Sequence, residues 1–87
     1  MEPHATRLSD WPNHAPAVVR AVHDAPGTEA SIANRLAQLG FIAGEPVRVL
    51  RRGPGGREPL AVQIGETMFA LRWAEAQCVE VAPPADD

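Results

Sequence analysis

The stretch Leu60-Ala61-Val62-Gln63-Ile64-Gly65-Glu66-Thr67-Met68-Phe69-Ala70-Leu71-Arg72 decides the fold class. Leu60–Ile64 alternates side chains suited to an inner and an outer face, the two-residue period of a strand. Gly65-Glu66 has the length of a tight hairpin turn. Thr67–Arg72 is rich enough in β-formers to return beside the first run. Upstream, Val47-Arg48-Val49-Leu50-Arg51 reads as a half-buried strand. Between it and the hairpin lies Gly53-Pro54-Gly55-Gly56-Arg57-Glu58-Pro59, too dense in glycine and proline for a regular element. Ala17–His23, a short valine-rich run, is an earlier strand, and Cys78–Val81 a last one. Trp73–Gln77 reads as one helical turn. Five short strands with brief connections bury their apolar faces best by curling into a small β-barrel, so a mainly β domain is expected.

One helix interrupts the strands. After the turn Asp24-Ala25-Pro26-Gly27, Thr28 is expected to cap its start, with Glu29 on its positive end. Ile32, Leu36 and Leu39 recur at helical spacing. Gly40 follows where a left-handed cap belongs, and Phe41 is placed to fold back on Leu36. Leu8 and Trp11 are expected to anchor the lead-in. The domain is expected over residues 8–82, with a flexible tail at 1–7 and a flexible acidic tail at 83–87.

Composition narrows the function. The chain has 87 residues, 45% apolar and 22% charged, enough for one core. No apolar run approaches the roughly 20 residues of a membrane span, and the start has no apolar signal region, so a cytoplasmic protein without membrane insertion is expected. One cysteine, Cys78, excludes an internal disulfide. All eight basic residues are arginines and the net charge is −3. Without lysine there is no phosphate-binding loop of the Gly-x-x-x-x-Gly-Lys type. The acidic balance argues against nucleic acid as a partner. Neither Ser9 nor Ser31 sits in a nucleophile elbow, and no glycine-rich oxyanion turn lies near Cys78, so the chain does not read as an enzyme.

From Leu8 to Val81 the sequence resembles the FeoA family of bacterial ferrous iron transport. The resemblance is carried by Leu8-Ser9-Asp10-Trp11-Pro12 and by Asn34-Arg35-Leu36-Ala37-Gln38-Leu39-Gly40-Phe41-Ile42-Ala43-Gly44-Glu45. It continues through Val47–Leu50, Glu58–Val62, Ala70-Leu71-Arg72, Glu75-Ala76 and Val79-Glu80-Val81. It implies a five-stranded SH3-like β-barrel with a short α-helix inserted after the first strand. It also implies a non-catalytic accessory role: binding and modulating the cytosolic GTPase domain of the ferrous iron transporter FeoB. Asn13-His14-Ala15 stands where the family usually carries a glycine, which predicts a differently shaped loop.

Candidate residues follow. Leu36, Leu39 and Phe41 are expected mainly as core, with Leu39 or Phe41 partly outward as an apolar anchor for the partner. Arg51, Arg52 and Arg57 could orient an acidic partner through their planar, fork-shaped guanidinium groups. No cofactor is required by any motif. A divalent transition metal, Fe(II) or Zn(II), would fall to His23, Cys78 and Glu80, because Cys78 and Glu80 alternate on one strand and His23 ends its neighbour. Against this, none of these residues has metal-motif spacing. A homodimer, with an ion shared between copies, stays open. The alternative is an SH3-like regulatory domain that binds a transition-metal ion, as in metal-dependent repressors.

Overall fold

The hairpin forms as its alternation dictates. In a computed structural model that describes residues 6–24 and 31–84, β4 (Leu60–Ile64) and β5 (Thr67–Leu71) pair antiparallel around Gly65-Glu66. The other strands are β1 (Thr6–Arg7), β2 (Ala17–Val22), β3 (Pro46–Arg52) and β6 (Val79–Ala82). Two helices join them, α1 (Ile32–Leu39) and α2 (Trp73–Ala76).

The expected closed five-stranded barrel is corrected. The sheet has six antiparallel strands in the order β1-β6-β2-β3-β4-β5, and its outer strands, β1 and β5, do not pair with each other. The sixth strand comes from the expected tail: Thr6 and Arg7 pair with Val81 and Glu80. A two-residue strand is too short for the tilt and stagger that close a barrel. Residues 1–5 and 85–87 of the two expected tails lie outside the described residues. Register shifts between Val19 and Ala21 in β2 and between Val49 and Arg51 in β3 mark bulges, which bend a sheet. One core cluster unites Val19, Val47, Val49, Leu60, Val62, Ile64, Leu71, Val79 and Val81 of the sheet with Leu8, Leu36, Phe41 and Ala76. Leu8 is fully buried, as an anchor of the lead-in should be, whereas Trp11, the other expected anchor, and Trp73 are only half-buried at the core's margin.

The helix starts later than the sequence suggests. Ser31, not Thr28, is its N-cap: Ser31 Oγ accepts from the Asn34 N–H at 3.1 Å. Asp24 Oδ1 accepts from the Ala33 N–H at 2.9 Å, so two side chains satisfy two of the first-turn donors. Thr28 lies outside the described residues.

Its end is the expected one. Gly40 has φ +115°, a conformation that side-chain-bearing residues rarely adopt. The Gly40 N–H donates to Ala37 O and the Phe41 N–H to Leu36 O, each at 3.0 Å, the paired bonds of a Schellman motif. The Gly53 position is needed for another reason. A Cβ there would lie 2.2 Å from Glu58 O, across a loop closed by the Gly53 N–H donating to Pro59 O.

The Asn13-His14-Ala15 loop keeps a glycine-like turn without glycine. His14 has φ +70°, the single positive φ outside glycine among the described residues. Its N–H donates to Val49 O at 2.7 Å. That bond ties the lead-in to β3 and offsets the cost of a left-handed residue, about 1–2 kcal/mol.

Candidate docking surface and the His23–Glu80 pair

The helix cap is mostly core. Leu36 and Phe41 are each 1% exposed, and the Phe41 ring meets Phe69 of β5 with centroids 6.1 Å apart. Neither offers a partner any surface, so the placement of Phe41 partly outward is corrected. The Schellman bond to Leu36 O turns the chain back, and Phe41 follows it inward. Leu39 is half-buried, as expected for an anchor at the edge of the core.

The sequence reading missed Ile42. It is 55% exposed and begins a turn in which the Glu45 N–H donates to Ile42 O. Its signal was available: directly after the cap it belongs to neither helix nor strand, so it has no inner face to take. Leu39 and Ile42 together bracket the α1 end of the molecule.

The three arginines do not act as one site. Arg52 is a structural staple: its Nε donates to Asn13 Oδ1 at 2.9 Å, Nη1 to Ser9 O at 2.8 Å and Nη2 to Trp11 O. Arg57 stacks on Trp73, its guanidinium carbon 4.4 Å from the ring centroid. Glu58 Oε1, next in the loop, accepts the Trp73 N–H at 2.7 Å. Arg51 pairs with Ala61 in the β3–β4 ladder, but its side chain is exposed and makes no hydrogen bond or ion pair among the described residues. Arg51 and the α1 end lie toward opposite ends of β3, whose seven residues span roughly 20 Å.

The proposed metal ligands separate too. His23 Nε2 lies 2.9 Å from Glu80 Oε1, as strand pairing between β2 and β6 suggested. An ionised carboxylate only accepts, so Nε2 carries the proton. The Glu80 carboxyl is held below its ordinary range, first by this hydrogen bond and then by the nearby charges of His23, Arg20 and Arg7. Arg20 Nε stands 3.8 Å from Glu80 Oε2. Cys78 does not join the pair. It precedes β6, is buried, and its Sγ–H donates to Ala74 O of α2 at 3.3 Å. Burial, then the charge of Asp24, raises its thiol pKa and disfavours the thiolate a metal needs. Among the described residues no three His, Cys, Asp or Glu side chains group so as to hold a metal ion.

An open groove of about 360 Å³ crosses β2, β3 and the β4–β5 turn, lined by Pro16, Val18, Pro46, Arg48, Gln63 and Pro84 among others. Arg48 is its one titratable lining residue, so the groove offers no acid–base or nucleophilic pair. No helix among the described residues is long and apolar enough to cross a membrane.

The FeoA domain model matches residues 6–83. The chain belongs to the FeoA family. Its FeoA domain is similar to the crystal structure of FeoA from Stenotrophomonas maltophilia complexed with zinc. The two are 51% identical over 90% of this chain and 91% of that one, with a TM-score of 0.79. That protein is described as an SH3-domain protein, which makes the fold here a mainly β, SH3-like one with an open six-stranded sheet. FeoA from Chlorobium tepidum, solved by NMR, is 29% identical over 94% of this chain and 73% of its own, with a TM-score of 0.76. A manganese-dependent transcriptional repressor shares the fold alone: 20% identity, a TM-score of 0.73, and 44% of its length covered. Among curated protein sequences, none matches the chain.

Proposed function

We propose that this chain is a non-catalytic cytoplasmic accessory protein of bacterial ferrous iron uptake that binds and modulates the GTPase region of FeoB. One observation carries the reading: the 51% identity, along nine-tenths of both chains, to a protein described as suggested to act as a ferrous iron transport activating factor. The surface suits an adaptor. Leu39 and Ile42 supply an apolar anchor at the α1 end, and Arg51 supplies a free charge about a β3 length away. A groove without converging titratable groups suits a protein that binds rather than catalyses.

The second reading, a domain that responds to a transition metal, is favoured by the zinc complex of the same relative. In this chain His23 and Glu80 would supply two ligands, short of the four a closed zinc site takes, with Arg20 beside them. A second copy could supply the remainder.

Calorimetry against the isolated GTP-binding region of FeoB, in EDTA and again with anaerobic Fe(II), separates the two. Binding in EDTA that Ile42→Asp weakens about tenfold, at unchanged melting temperature, supports docking at the α1 end. Binding that appears only with Fe(II) supports the metal reading. No binding in either condition overturns the proposed partner.

A further inference from the structure

The outermost strand at one end of the sheet, β5, is complementary to itself. It pairs with β4 on one side only. The two-residue turn closes on Ile64 and Thr67, so the backbone groups of Thr67, Phe69 and Leu71 face β4. Alternation turns the N–H and C=O of Met68 and Ala70 to the open side. Among the described residues these groups bond to no other element. The strand, Thr67-Met68-Phe69-Ala70-Leu71, holds no charge and no proline, and Met68 is 62% exposed. Glu66 and Arg72, both exposed and of opposite sign, flank it.

We propose that this edge pairs antiparallel with the same edge of a second copy, about a two-fold axis through Phe69. In that register Met68 lies opposite Ala70 of the partner subunit, and Ala70 opposite the partner's Met68. Each pair exchanges both backbone bonds, so the open donors and acceptors are satisfied on both copies at once. Glu66 then falls opposite the partner's Arg72, and Arg72 opposite the partner's Glu66. Shifting the register by two residues either way puts Glu66 opposite Ala70 or Arg72 opposite Met68, and both ion pairs are lost. The charges thus select one register of the three that the backbone permits. The ladder stops at Arg72, whose N–H is already given to Glu75 Oε1.

Sedimentation equilibrium of the full chain in EDTA, over a concentration series, tests this. The expected result is a reversible dimer. Met68→Pro removes an N–H that faces the open side, leaves the β4 ladder its own bonds, and should give a monomer. Glu66→Arg or Arg72→Glu alone should each weaken the dimer about tenfold, because the two-fold doubles every mismatch, and the double exchange should restore it. If Met68→Pro fails to fold by circular dichroism, the charge exchange decides. A chain that stays monomeric to about 1 mM overturns the proposal. So does a dimer that a folded Met68→Pro leaves intact, one that the single charge reversals leave unchanged, or one that only added metal sustains.

Discussion

The two ends of the sheet are built in opposite ways. At one end β1 is two residues long, and Arg7 lies opposite Glu80 with His23 and Arg20 close by. At the other, β5 offers five uncharged residues and an exposed methionine. Short strands and charge are the usual means of keeping a sheet edge from pairing. The β1 end has both, and the β5 strand neither. A small domain can therefore carry one edge guarded by a short strand and charge and one edge with neither guard, so strand length and side-chain charge together tell them apart.

Three substitutions sharpen that contrast. The largest effect belongs to Phe41→Ala, which removes the ring packed beneath β5 against Phe69. A loss of about 3–5 kcal/mol is expected, read by urea denaturation, because a fully buried ring leaves a cavity. A loss under about 1 kcal/mol would mean that β5 does not depend on the helix cap for its support. Next, Arg52→Ala leaves Ser9 O and Trp11 O without their charged donor, in the segment that follows β1. About 2 kcal/mol of destabilisation is expected, and Arg52→Lys should recover only part of it, since an ammonium cannot reach three acceptors in one plane. Full recovery by lysine would reduce the staple to simple charge.

The smallest effect is at Glu80. Its folded pKa lies below the ordinary value, so its contribution is present above the unfolded pKa and is lost as pH falls through the folded one. Glu80→Gln should lower stability by less than about 1 kcal/mol at pH 7, and the gap to the parent should close as the pH falls through the folded pKa of Glu80. A gap that persists in acid would assign the effect to packing instead of charge.

Local signals were read correctly where the chemistry is local. Gly65-Glu66, the Gly40 cap and the alternation of Leu60–Ile64 each depend on residues a few positions apart. The helix starts later than Thr28 suggests because its cap uses Asp24, nine positions before Ala33 in the chain, together with Ser31, and the local sequence alone does not show that pairing. Among candidate site residues, nearness in the chain misled. Arg51 and Arg52 are adjacent, yet one is free and the other ties down Ser9, Trp11 and Asn13. Cys78 and Glu80 are two apart, yet the strand begins between them, so the thiol turns to α2 and the carboxylate to His23.

By itself the sequence determined the central strands, the hairpin, the helix C-cap and the family, because periodicity, turn chemistry and motif order are written along the chain, while β1 was hidden in the expected tail. The tertiary structure decided which arginine is free, which apolar residue is exposed, and that the sheet ends in two unlike edges. Those are matters of long-range pairing, and pairing is set by how the whole core packs.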